Sequence, residues 1–278
     1  MSLFRVLVLA VCGAGAAAVA LPAVANGQGR ADTGVQDPNG HPFRMPTISP
    51  IEPIYRLAPV YADTDGDDEW VGIAEFGDYW AFWLRRRPEG GLELAAAFHG
   101  HAASRFSLEA VHNTFIDVTF RAGGYLRARL GSVAARLDLF HVSSHLGDEY
   151  VVDNDVEPLR TAREGIELLF EVSPYEGAIL FGGPGFILRS SLPLESMSWR
   201  VGSEWESVSG SWARPYAGAD LFVWGEQDWR PQLTAEAGAA LGRNARLGIL
   251  LALGPPRADQ FLYESETLIG LSFSYRRR

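Results

Sequence analysis

The stretch Glu266 to Tyr275, ETLIGLSFSY, decides the fold. Thr267, Ile269, Leu271, Phe273 and Tyr275 hold one set of alternate positions, and Glu266, Gly270, Ser272 and Ser274 hold the other. Successive side chains of a strand point to opposite faces, so this period of two separates an apolar face from a polar one; a helical period would mix them. Ile166, Leu168, Phe170 and Val172 alternate in the same way with Glu167 and Glu171, and Leu233, Ala235, Ala237, Ala239 and Leu241 with Gln232, Thr234 and Glu236.

A soluble sandwich also alternates, and the character of the second face tells the two apart. Here that face is charged along most of a strand, as at Arg127 and Arg129, Arg136 and Asp138, and Arg200, Glu204 and Glu206. A barrel in lipid turns its apolar face outward and its polar face into the lumen, and it closes because an open edge would leave backbone groups unpaired in hydrocarbon. The expected fold is therefore all-β, a single antiparallel transmembrane β-barrel. Turns between the runs place strands near 78–87, 91–100, 104–111, 115–129, 133–144, 162–173, 177–190, 196–207, 214–226, 230–242, 245–254 and 265–275, about 12 in all, an even number as such barrels prefer.

With both ends of the barrel in the periplasm, short turns fall on one side: Leu130-Gly131-Ser132, Pro174-Tyr175-Glu176 and Gly242-Arg243-Asn244. The long connections, Ser144 to Thr161 and Gly254 to Glu264, then face outward. Tyr79, Trp80, Trp83, Trp224, Trp229 and Tyr263 sit at run ends, where interface girdles are expected.

Upstream, Arg5 precedes an apolar run from Val6 to Ala20, and Ala23-Val24-Ala25 has the small-x-small form of a cleavage site. Residues 1–25 read as a secretory signal peptide. Residues 26–54, rich in Gly, Pro, Asp and Asn, read as a flexible N-terminal segment, and 55–278 as the barrel domain. The one cysteine, Cys12, lies in the signal, so the mature chain has neither disulfide nor thiolate chemistry. All 24 basic residues are arginine, yet the net charge of −10 argues against nucleic acid as a partner. The acidic run Asp63 to Glu69 has its glycine at the wrong place for a helix-loop-helix calcium loop and reads as a solvated turn.

Phe140 to Asp155, FHVSSHLGDEYVVDND, carries the candidate chemistry. The apolar face of Ala135, Leu137 and Leu139 continues through His141 and Ser143, which therefore point towards lipid near the outer leaflet. A histidine takes the proton of a serine hydroxyl that shares its face, and an acid or amide orients the imidazole. Asp155 is the candidate third member, with Asn154 and Asp153 as alternatives. Asp148 and Glu149 are a candidate calcium pair, since carboxylate oxygens suit that ion. His99 and His101 share a face and read as lumen-facing polar residues, two histidines being a weak zinc signal.

The His141-x-Ser143 pair with Asp155 fourteen residues after the histidine resembles the exterior site of outer-membrane phospholipase A and of lipid A deacylase barrels, although this chain continues Ser144-His145 where the phospholipase has Asn and Gly. A longer resemblance runs through PVYAD (Pro59 to Asp63), HVSSHLGDEY (His141 to Tyr150), REGIELLF (Arg163 to Phe170), YAGADL and EQDWRPQ (within Tyr216 to Gln232) and QFLYESETLIGLSFSY (Gln260 to Tyr275). These segments are similar to the bacterial family called domain of unknown function 1207, which implies an outer-membrane barrel of a Gram-negative bacterium and no assigned reaction.

Three functions are open at this point. One is a structural or lipid-contacting role at the outer leaflet. Another is hydrolysis of a phospholipid or lipid A acyl ester at His141, Ser143 and an acid. The third is a narrow pore, against which stands the dense mixture of Arg127, Arg129, Arg136 and Arg200 with Asp117, Asp138, Glu167, Glu171, Glu204, Asp220 and Glu236, expected to close into salt bridges. The expected partners are outer-membrane lipids and, for export and insertion, periplasmic chaperones and the barrel-assembly machinery.

Overall fold

The computed structural model describes residues 46–276 apart from 65–66, 86–90, 110–112, 193–195, 210–211, 226–227, 257–258 and 262–263. Twelve strands close into one antiparallel barrel. In chain order they are β1 (Tyr55–Thr64), β2 (Asp67–Arg85), β3 (Glu93–Ser107), β4 (Phe115–Leu130), β5 (Val133–Leu146), β6 (Thr161–Val172), β7 (Ala178–Ser190), β8 (Met197–Glu206), β9 (Ala213–Trp224), β10 (Pro231–Leu241), β11 (Ala245–Gly254) and β12 (Glu266–Tyr275). Each pairs with its sequence neighbours, and β1 meets β12 from Tyr55↔Tyr275 to Thr64↔Glu266, which removes both free edges. No helix of the described residues is long and apolar enough to cross a membrane, so any crossing is made by strands.

The register fixes the two ends. Tyr55 and Tyr275 lie at one rim with the turns at 131–132, 173–177 and 242–244; the connections 147–160 and 255–265 lie at the other. The outward positions are apolar: Phe76, Phe98, Leu126, Leu139, Phe170, Val201, Ile249 and Leu271 are exposed on the barrel wall. Exposed hydrophobic side chains at this density are costly in water and at home in hydrocarbon.

Nine of the expected strands are found within a few residues of their places, and the first three are redrawn. The runs read at 91–100 and 104–111 are one strand, β3, because Gly100 is an outward residue under the Trp80 ring, where a Cβ would stand 3.5 Å from it, and not a turn. The run read at 78–87 is the lower half of β2, and β1 lies upstream of every run read as a strand. The acidic run 63–69 spans the tip of the β1–β2 hairpin, with Asp63 opposite Asp68. Of the residues read as girdle aromatics, Trp80, Trp83 and Trp229 are exposed, whereas Trp224 is buried in the lumen and the Tyr79 hydroxyl donates to Glu52 there. Tyr263 lies outside the described residues, as do residues 1–45.

The lumen is filled by charge. Residues 46–54, the end of the segment read as flexible, are held inside the barrel: Ile48, Ser49, Glu52 and Ile54 are almost inaccessible. Glu52 receives hydrogen bonds from Arg136 (2.9 and 2.5 Å) and Arg200 (2.8 Å). Arg200 also reaches Asp220 at 3.0 Å and Glu167 at 3.4 Å. Arg56 bridges Glu75 (2.8 Å) and Glu236 (3.1 Å), and Arg246 bridges Glu204 (2.8 Å) and Glu206 (2.5 Å). His99 and His101 are buried on the same inward face, with His99 Nε2 2.8 Å from Asp138. A buried charge is tolerated only when partners replace its lost hydration, and here each guanidinium named is met by two or three carboxylates. Gly218 shows how closely the inserted segment fits, because a Cβ there would stand 2.3 Å from Ile48 Cδ1.

Candidate functional site

The site starts from the parity of β5. Arg136, Asp138, Val142 and Ser144 are buried in the lumen, and Leu137, Leu139, His141 and His145 are exposed on the wall, with Ser143 part-exposed between the two histidines. Pairing across the sheet sets the neighbours of each. His141 lies between Ala122 of β4 and Glu164 of β6; Ser143 lies between Phe120 and Ala162.

Glu164 is the carboxylate that this geometry brings to the imidazole, with Oε1 3.8 Å from His141 Nδ1. Both side chains are about half exposed, 51% and 52%, so in water the contact would be weak, and it strengthens where the surroundings exclude water. At this point the β6–β7 pairing shifts register, with Glu164 opposite Arg189 and Gly165 opposite Ile187, which leaves Leu188 as the extra residue of a bulge on β7, a device common beside functional side chains. Beneath the pair, Phe140 is pressed between Gly165, whose Cβ would stand 2.6 Å from its ring, and the Arg121 guanidinium 3.9 Å above the ring. The strand carrying His141 is thus braced from the lumen side.

Asp155 is placed elsewhere. A short helix, α1 (Asp148–Asn154), follows β5, and Asp155 ends it in the left-handed conformation (φ 50°) with its N–H bonded to the carbonyl of Val151. The Asn154 side chain donates to the carbonyl of Tyr150 at 3.0 Å, and Asp153 is exposed. Among the described residues no ion pair or hydrogen bond joins His141 to any of these three. The reason is local: the chain turns into a helix immediately after the strand, so its carboxylates stand at the rim and not beside the imidazole. Asp148 and Glu149 form the first turn of α1, where carboxylates favour the positive end of the helix dipole, and no group of three potential metal ligands occurs among the described residues.

Ser143 and His141 are two positions apart on an extended strand, about 6.6 Å between their Cα atoms, and no hydrogen bond joins them among the described residues. Closing that gap takes rotamer changes only, since both side chains already share a face. Ser144 has a different task. Its hydroxyl accepts from Thr119 at 3.1 Å, and its carbonyl accepts from Gln260 Nε2 at 2.7 Å. Gln260, in the turn at 259–261, also donates to the Leu159 carbonyl (2.8 Å) and accepts from the Leu159 N–H (3.0 Å), tying the ends of the 147–160 connection together.

A lumen cavity of about 60 Å³ lies above the inserted segment, lined by Pro50, Ile51, His101, Arg105, Arg121 and Arg163 among others. Arg105 is held there by Asp117 (2.5 Å) and Glu266 (2.9 Å), and Arg163 stacks on Trp224 at 3.6 Å. The hydroxyl-bearing residues of its lining are Ser104 and Thr119, and the Thr119 hydroxyl is engaged with Ser144, whereas Ser143 of β5 lies on the wall.

The model of the family described as "Protein of unknown function (DUF1207)" matches residues 33–276. No curated protein matches the chain. Among solved structures, the chain is similar to the outer membrane phospholipase A from Escherichia coli, with a TM-score of 0.58 at 7% identity over 82% of this chain and 93% of that one. The outer membrane phospholipase dimer of Salmonella typhi, solved with bound calcium, aligns with a TM-score of 0.53 at 10% identity over 82% of this chain and 94% of that one. At such identities the likeness is one of fold: the barrel is of the outer-membrane type.

Proposed function

Because this chain belongs to the DUF1207 family, whose description assigns no activity, its function rests on its own site, and we propose that it is an acyl-ester hydrolase of outer-membrane lipids. The observation that carries the reading is the His141 to Glu164 contact of 3.8 Å on the apolar outer wall, with Ser143 on the same face. In the reaction the Ser143 hydroxyl attacks the acyl carbonyl while His141 takes its proton. The imidazolium, stabilised by Glu164, returns that proton to the departing lipid alcohol. Water then attacks the acyl-serine with His141 again as base, which releases the fatty acid and restores Ser143.

Placing a charged triad on a lipid-facing wall suits a substrate that arrives by lateral diffusion in the outer leaflet. On this reading the chain works in the outer membrane, with outer-leaflet lipids as partners and with chaperones and the assembly machinery needed only for delivery. The lipid-contacting role is contained in this reading, because the substrate must first dock on the same wall. Conduction is disfavoured by the Glu52 cluster and the inserted segment, which occupy the lumen.

The test uses detergent-solubilised protein with phospholipid in mixed micelles, fatty-acid release as the readout, and labelling by a fluorophosphonate probe. Wild-type protein releases fatty acid and labels; Ser143→Ala does neither while running as a folded barrel. Release at the wild-type rate from Ser143→Ala would refute the assignment.

A further inference from the structure

The wall around Ser143 carries positive charge at two places. Glu164 pairs with Arg189 of β7, so His141, Glu164 and Arg189 form a row across three strands, the last exposed. Adjacent strands lie about 4.8 Å apart, which puts the Arg189 backbone about 10 Å from that of His141, within the reach of one extended guanidinium plus one headgroup. The second place is Arg160, which precedes β6 two positions above Ala162 and is exposed. Ser191 fixes its backbone: the Ser191 hydroxyl donates to the Arg160 carbonyl at 2.5 Å and accepts from the Ala162 N–H at 2.9 Å. Ala162 is the residue directly beside Ser143. The two arginines therefore flank the small gap at Ala162, Arg160 above it and Arg189 below it and one strand across, while Leu139, Ile166 and Leu188 offer apolar wall lower down.

From this arrangement we infer that Arg160 and Arg189 form a phosphate-binding subsite, and that the lipid acted upon carries a phosphate close to its acyl ester. A guanidinium presents paired N–H donors that match phosphate oxygens, and in an interface of low water content such bonds are strong. Charge above and hydrocarbon below is also the polarity of a phosphorylated lipid standing in the outer leaflet. A glycerophospholipid and a phosphorylated lipid A share this chemistry. The inference builds on the hydrolase reading, and its test is one of binding, so that the two can fail separately.

Purified Ser143→Ala protein in uncharged detergent is titrated with phosphatidylglycerol, with bis-phosphorylated lipid A, with enzymatically dephosphorylated lipid A and with diacylglycerol, and binding is followed by intrinsic tryptophan fluorescence. At least one phosphorylated lipid binds about tenfold or more tightly than its uncharged counterpart, and adding Arg160→Gln and Arg189→Gln removes that advantage. Loss confined to phosphatidylglycerol identifies a glycerophospholipid site, and loss confined to phosphorylated lipid A identifies lipid A. Equal affinity for phosphorylated and uncharged lipids, or an advantage that survives both substitutions, overturns the subsite. A phosphate-dependent binder that releases no fatty acid in its wild-type form would instead refute the hydrolase and leave the subsite standing. In active protein, Arg189→Gln lowers turnover of the phosphorylated lipid and spares a neutral p-nitrophenyl acyl ester; equal loss on both would show that Arg189 only positions Glu164.

Discussion

Replacing Glu52 by glutamine keeps the size of the side chain and removes its charge from the centre of the lumen. The carboxylate accepts two bonds from Arg136 and one from Arg200. Breaking a buried ion pair costs about 3–5 kcal/mol, because the remaining charge stays without its counterion. Here the remaining arginines keep partial cover, since Glu167 lies 3.6 Å from Arg136 and 3.4 Å from Arg200, and Asp220 lies 3.0 Å from Arg200. That places the expected loss at the lower end, about 3 kcal/mol. The assay is reversible urea unfolding in detergent, followed by tryptophan fluorescence and by the shift between folded and unfolded forms on an unheated gel. The double variant Glu52→Gln with Arg136→Met removes the guanidinium that has lost its main counterion and should recover a good part of the loss, giving a coupling energy above about 1 kcal/mol. A wild-type unfolding midpoint in Glu52→Gln, or strictly additive losses in the double variant, would show that the cluster does not hold the inserted segment as argued.

Other outcomes are expected at the site and around it. Glu164→Gln lowers kcat/KM for ester hydrolysis about tenfold, in line with loss of an orienting charge contact, whereas Asp155→Asn leaves it unchanged; the reverse order would return the acid to the rim. Gln260→Ala leaves the Leu159 carbonyl and N–H without their side-chain partner and the Ser144 carbonyl with only the Thr161 hydroxyl, which costs about 1–3 kcal/mol, seen as faster amide hydrogen exchange at Leu159 and Thr161. Gly218→Val drives a side chain into Ile48 and into the Ser203 carbonyl 2.5 Å away, lowering stability by about 1–3 kcal/mol in the same urea assay.

Much of this architecture could be read from periodicity, because a lipid-facing barrel writes its two faces into alternate positions. The inward assignments of Arg136, Asp138, Arg200, Glu204 and Asp220 and the outward one of His141 all follow from parity, and parity survives an error in a strand's end. The first strands were harder to read, since glycines such as Gly100 look like turns and the alternation of β1 is blurred by Ala58 and Ala62, inward residues that are apolar. Glu164 escaped for a different reason. Its meeting with His141 depends on the β5–β6 register, and pairing the expected strand ends, 144 with 162, sets Gly165 opposite His141, one residue off. A local search for an acid downstream of the histidine therefore settled on Asp155. Glu52 carried no signal at all, since a composition rich in Pro and Gly says nothing about what a short segment will dock against.

The path of the inserted segment has a consequence for assembly. Thr47 accepts a bond at its carbonyl from Arg56, at the foot of β1, while Pro50 and Ile51 reach the cavity near the opposite end. The segment thus goes up and comes back, with both limbs at the rim where Tyr55 pairs with Tyr275. Residues 46–54 thus do not run from rim to rim, so closing the β1–β12 seam does not by itself trap this stretch, which has one mouth for seating and for withdrawal. Zipping the wall and corking it are two separable events, and only the first has to wait for the last strand of the chain.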